Sequence, residues 1–182
     1  MKKIYLLLFL CVASVSCNEW FDTTPDGTSI PEDRFFRNEN AFLNALTDVY
    51  TQLRSESLYG RMLSVGELEF MGQTFQPAGT DFQAAADLNY ADAAFRTAIE
   101  QTFVDMYKAI AACNNVIGHI ETTKIVFNSK SRKRIITGEL YGLRAALHFE
   151  LLRLFHPAYA VDPGFVGLPY ICLLYTSPSP RD

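Results

Sequence analysis

The chain has 182 residues, of which 49% are hydrophobic and 20% charged, and its formal net charge is −4. A length of this order is enough to bury a sizeable core, and a mildly acidic balance argues against a nucleic-acid partner. The cysteines, at positions 11, 17, 113 and 172, form no disulfide framework.

Lys2 and Lys3 give a positive start, followed by an apolar run from Ile4 to Val15, the layout of a cleavable signal peptide over 1–16. A spanning helix needs ~20 apolar residues, and this run gives way to Asn18 and Glu19, so it is too short to remain as an anchor. Ala13, Ser14, Val15 and Ser16 lead into Cys17. A small residue before a cysteine resembles a lipobox, here in a relaxed form with Ser14 where leucine is commonest. Cys17 is therefore the expected lipid-attachment residue, and its acyl chains the membrane anchor. Bulky Leu10 makes Cys11 the poorer choice. Residues 17–37 read as a tether, irregular because of Pro25, the Asp26-Gly27 pair and Pro31.

The body is expected over 38–171. Phe42, Ala45, Leu46, Val49 and Leu53 recur at helical spacing, with Asn38 or Asn40 placed to cap them and Gly60 beyond, which predicts a helix over 39–58. Met62 to Phe70 is a short apolar-rich stretch, compatible with a helical turn or a strand. Residues 72–92 carry Gly72, Pro77, Gly79 and several polar residues and predict a long surface loop, the best place in the chain for ligand contacts. Ile99, Phe103, Met106, Ile110, Cys113, Ile117 and Ile120 then fall at steps of four and three, one face of a long helix packed in a bundle. Cys113 belongs to that stripe as a small apolar residue. A further helix is predicted over 131–155, with Ile136, Leu140, Leu143, Leu147, Leu151 and Leu154 inward, a small face at Gly138, Gly142, Ala145 and Ala146 suited to close approach of another helix, and Pro157 after its end. Ala145, Phe149 and Pro157 also have the spacing of the second half of a tetratricopeptide repeat, although Ile136 stands where that repeat has tyrosine.

Residues 172–182 read CLLYTSPSPRD, which is similar to the translation of a transposase-type sequencing adapter and is expected to be a non-native tail. With Lys2, Lys3, Arg181 and Asp182 set aside, residues 17–171 carry a charge of about −6. On this reading the native sequence is interrupted near Ile171.

No HExxH, phosphate loop, GxSxG elbow or metal-spaced Cys/His cluster occurs in the sequence. His148 and Glu150 are two apart on a predicted helix and point to different faces. The basic run Lys130, Arg132, Lys133 and Arg134 reads as a solvated helix start. No catalytic residue, metal or cofactor is expected, and the chain does not read as an enzyme.

Three stretches carry a family resemblance: CNEWFDTTP at 17–25, YKAIAACNNVI at 107–117, and GELYGLRAALHFELLRLF at 138–155 followed by GLPY at 167–170. They are similar to the N-terminal part of the SusD/RagB family of outer-membrane nutrient-binding lipoproteins of Bacteroidetes. Glu139, Arg144, Ala145, Phe149, Leu151, Phe155 and Pro169 occupy the matching places, while Leu140 and His156-Pro157 depart from the pattern. The resemblance implies an all-α fold of tetratricopeptide-like helix pairs, anchored to the outer membrane and facing the exterior. It implies capture of an oligosaccharide, less often a peptide, for delivery to a SusC-like TonB-dependent transporter. Phe82, Asn89 and Tyr90 are the candidate ligand-binding residues, with most of the binding platform expected beyond Ile171. The alternative is a structural or adhesive surface lipoprotein that uses the same scaffold for protein contacts.

Overall fold

Five helices account for the regular structure in a computed structural model that describes residues 35–80 and 82–172. They are α1 (Glu39–Leu53), α2 (Glu67–Met71), α3 (Gln83–Ala86), α4 (Ala93–Thr122) and α5 (Lys130–Phe155). Among the described residues there is no strand, and the fold is all-α. The signal peptide, Cys17 and residues 173–182 lie outside the described residues.

Each long helix starts on a side-chain cap. Asn38 accepts from Ala41 N–H at 3.0 Å, Asp92 from Phe95 N–H at 2.9 Å and Ser129 from Arg132 N–H at 3.1 Å, satisfying donors that have no intrahelical partner. At its other end α5 stops at His156 before Pro157, which cannot continue a helix.

α1, the 30-residue α4 and the 26-residue α5 form the framework. The apolar stripe of α4 faces inward as its spacing predicts: Met106, Ile110, Cys113, Ile117 and Ile120 are buried, Ile99 and Phe103 partly so. On α5, Ile136, Leu140, Leu147 and Leu151 are buried, with Leu143 and Leu154 intermediate. One core cluster joins Phe42 and Val49 of α1 to Cys113 and Ile120 of α4 and to Ile136 and Leu140 of α5. The other joins Leu53, Leu58 and Met62 to Met106, Ile110, Leu147 and Leu151. These pairings make α4 antiparallel to both α1 and α5. Burial lifts the Cys113 thiol to about 11, against the pull of Arg144, so it stays protonated and inert.

One expectation is corrected. α1 ends at Leu53 rather than at 58. Past it the chain folds back, with Tyr59 N–H on Leu53 O at 3.0 Å and Gly60 N–H on Ser55 O at 2.9 Å. Ser57 donates to Asp105 at 2.7 Å, and its carbonyl accepts from Thr102 at 2.9 Å, so bonds to α4 replace a further helical turn. The small face of α5 is open: no atom outside the helix lies within 4 Å of a Cβ built on Gly138 or Gly142, Ala145 and Ala146 are exposed, and Phe149 is 62% exposed. Among the described residues, α1 and α4 pack on the other face.

His148 is structural. Its Nε2 accepts from Ile171 N–H at 3.3 Å, and its Nδ1 meets Arg144 O at 2.9 Å as the donor nitrogen. Glu150 turns to Arg153 instead, at 2.5 Å.

Two outcomes test this account. A Cβ at Gly60 would lie 2.3 Å from Arg54 O and 2.6 Å from Ser55 O, so Gly60→Ala should lower the urea midpoint by an amount equivalent to about 2 kcal/mol or more. Glu39 is buried at the start of α1, where Asn128 N–H and then Arg132, both at 2.6 Å, hold its carboxyl below the usual 4.5. A carboxyl with a depressed folded pKa contributes stability that is complete above its unfolded value and is lost as pH falls through the folded one. Acid unfolding below pH 4.5 should therefore flatten in Glu39→Gln, and an unchanged acid limb would count against this role.

Candidate functional site

The connector from Arg54 to Asp92 packs against the N-terminal part of α4 and holds the hollows of interest. It folds through two very short helices that end alike. After α2, Gln73 N–H bonds Phe70 O at 3.1 Å and Thr74 N–H bonds Glu69 O at 3.0 Å; after α3, Leu88 N–H bonds Ala85 O at 3.2 Å and Asn89 N–H bonds Ala84 O at 2.8 Å. Both are Schellman closures, which need a left-handed residue and favour glycine there. Here the residues are Gln73 and Leu88, with φ of 58° and 52°. Phe82, just before α3, is left-handed as well, with φ of 61°. Three side-chain-bearing residues in this strained region mark a connector over-determined by its surroundings.

A hollow of about 500 Å³ opens here, with Arg61, Glu67, Thr80, Phe82, Asp92 and Phe95 in its lining. Phe82 stacks on Phe70 with ring centroids 4.7 Å apart and planes 8° apart, and the Arg61 guanidinium carbon lies 5.7 Å from the Phe82 ring centre. The plate is thereby backed and fixed in orientation. Glu67 is only 6% exposed. Its Oε1 receives Arg61 at 2.7 Å, whereas the buried Oε2 has no hydrogen-bond partner among the described residues. A buried polar atom left unmatched carries a desolvation cost of about 1–3 kcal/mol, which a donor would remove. Asp92 is engaged as the cap of α4. With Arg61 balancing Glu67, the hollow suits a neutral donor group beside an aromatic plate.

The predicted residues divide. Phe82 lines this hollow. Tyr90 lines a neighbouring, largely apolar one of about 350 Å³ with Met62, Leu68, Ile99 and Phe155, and stacks on Phe95 at 5.6 Å, which links the two. Asn89 serves the turn: its backbone closes α3 and its side chain accepts from Ala91 N–H at 3.3 Å. Arg61 and Glu67 escaped sequence reading because their contact spans six residues across irregular backbone, where no periodicity pairs them. The available signal was a carboxylate inside an apolar-rich stretch.

Among the described residues no group of three or more His, Cys, Asp or Glu side chains could hold a metal ion, and no helix is long and apolar enough to cross a membrane.

The chain is similar to a SusD-like protein of Formosa agariphila, at 21% identity over 168 residues that cover 86% of this chain and 31% of that protein. It thus spans less than a third of the length of this relative. No protein-family profile matches the chain, and no solved structure does.

Leu88 offers a test of the strained connector without touching the hollow, since it is exposed and left-handed. Leu88→Gly should raise stability by about 1 kcal/mol, read as an increased urea midpoint; a decrease would show that the left-handed turn is not strained.

Proposed function

We propose that this chain is the N-terminal part of a SusD-like lipoprotein, held in the outer membrane through acylated Cys17 and facing the exterior, that captures an oligosaccharide and passes it to a SusC-like TonB-dependent transporter. The all-α fold supports this reading, and so does similarity to a SusD-like protein along most of the chain. In the same reading residues 1–16 are the signal peptide, 17–37 the tether and 38–171 the body, and the antiparallel α4 and α5 form a tetratricopeptide-like pair.

One observation carries the capture function: a single hollow joins the fixed aromatic plate of Phe82 to the buried, half-satisfied carboxylate of Glu67. A pyranose ring has an apolar face that lies on an aromatic ring and equatorial hydroxyls that donate to a carboxylate. Arg61 cancels the charge of Glu67 and the N-terminus of α4 takes up that of Asp92, so the hollow favours a neutral sugar over a cation. Tyr90, on the linked hollow, extends the apolar surface. Asn89 contributes by holding the turn.

The open face of α5, with Phe149, Leu152, Gly142 and Ala145 exposed, favours a second reading, a structural or adhesive lipoprotein that contacts other proteins. Calorimetric titration with a panel of neutral oligosaccharides separates the two. Capture requires a saturable heat with at least one of them. Phe82→Ala, by removing the stacking plate, should then weaken binding about five- to tenfold. Binding that Phe82→Ala leaves unchanged would remove the hollow from the function, and a panel that gives no binding would favour the adhesive reading.

A further inference from the structure

We propose that a second hollow, at the opposite end of α4, binds an acidic saccharide through Lys130, Lys133 and Arg134. It lies between the 123–129 connector and α5, has a volume of about 810 Å³, and is lined by those three cations together with Phe127, Thr137 and Tyr141. The inference rests on the capture function proposed above and adds to it a ligand class and a separate place of binding.

Charge bookkeeping singles the hollow out. In an acidic chain most cations near carboxylates are paired: Arg61 with Glu67, Lys108 with Asp105, Arg132 with Glu39 and Arg153 with Glu150. Lys130, Lys133 and Arg134 make no ion pair among the described residues. Glu121 is the one carboxylate in the lining, and it already accepts the Tyr141 hydroxyl. The hollow therefore holds an excess of about two positive charges. Repulsion among three cations within two helical turns is a cost that an anionic ligand would relieve.

The remaining lining selects a sugar acid over a bare anion. Phe127, nearly buried, forms the floor, with the Lys133 Nζ 5.8 Å from its ring centre. Tyr141 forms a wall, its hydroxyl held by Glu121 and its ring backed by Arg144 at 4.8 Å. Thr137 adds a hydroxyl. Aromatic surface for a ring face, a neutral polar group and cations for carboxylate or sulfate together match a uronic acid or a sulfated sugar. Side chains from three turns of α5 build the hollow, and the first-turn N–H of Arg132 is already taken by Ser129. A flat membrane surface would reach Val126, which is 90% exposed, and would miss the floor.

The ends of α4 are far apart. From Phe95 to Thr122 the helix rises about 40 Å, so the two hollows act on different sugar units or different ligands.

The test is calorimetry on the full chain with octagalacturonate, maltoheptaose as the neutral control, and vesicles of phosphatidylglycerol and phosphatidylcholine in a one-to-three ratio. Octagalacturonate should bind, should weaken as salt is raised, and should bind about tenfold more weakly to the Lys133→Ala/Arg134→Ala double variant, with an unchanged circular-dichroism melt. If the double variant unfolds, Lys130→Gln and Arg134→Gln singly should each weaken binding several-fold. Neutral binding without acidic binding overturns this inference and spares the capture function; failure of octagalacturonate together with the whole neutral panel overturns both. Vesicle binding that depends on Lys133 and Arg134, without octagalacturonate binding, overturns it in favour of a membrane surface. Equal octagalacturonate affinity in wild type and the double variant overturns it as well.

Discussion

Arg144 is 9% exposed in the seam between α4 and α5, where its guanidinium donates to Asn114 Oδ1 at 2.9 Å and to the Cys172 carbonyl at 3.2 Å and lies 4.8 Å from the centre of the Tyr141 ring. A charge removed from water with neutral acceptors alone is tolerable only when those acceptors are correctly placed. Sliding either helix by one turn would move Asn114 about 5.4 Å away and strand the cation. The Arg144–Asn114 pair therefore specifies the register of α4 on α5, a role better attested for buried polar pairs than net stabilisation. It also sits at the boundary between the two core clusters, with Cys113 and Leu140 on one side and Ile110 and Leu147 on the other. The same clamp gathers the 168–172 segment. Asn114 donates to Ile171 O at 3.1 Å, Tyr107 to Pro169 O at 3.0 Å, and Ile171 N–H reaches His148.

Once that register is set, each end of the α4–α5 pair is left with a different task. At the N-terminal end of α4, Thr102 and Asp105 recruit the connector through Ser57, and Met62 and Leu63 seal it onto the second core cluster. This anchoring compresses residues 54–92 into tight turns, and the left-handed Gln73, Phe82 and Leu88 are its local cost. The Phe82 conformation also sets the ring on Phe70 at the edge of the hollow. At the other end, Glu39 grips Asn128 and Arg132, fixing the 123–129 connector and turning the rest of the basic run toward its own hollow.

Sequence patterning reveals what is periodic here and misses what is not. The stripe from Ile99 to Ile120 and the leucines of α5 announce themselves because burial on one face of a helix repeats every three to four residues. The end of α1 is hidden, since apolar spacing continues to Leu58 while Ser57 silently offers its bonds to α4. The small face of α5 is legible as small, but smallness permits a helix to approach without supplying one. Phe82 and Tyr90 stand out as aromatics in an irregular stretch and do line hollows. Asn89, a polar residue of the same stretch, serves a turn, as asparagine often does. Glu67 and Arg61 become a pair only through the fold.

The basic run shows where a sequence-level rule of thumb stops being enough. Four cations in five residues at a helix start look equivalent in one dimension, and solvation is the economical account of all of them. In three dimensions helical geometry separates them: Arg132 turns to Glu39, while Lys130, Lys133 and Arg134 fall at steps of three and one on the side facing Phe127. The neutralised cation fastens α5 to α1, and that fastening holds the remaining three on one wall. A structural ion pair and an unbalanced charge patch thus arise from the same short segment. The patch exists because the pair takes one arginine and leaves its neighbours with Glu121 alone, already engaged by Tyr141.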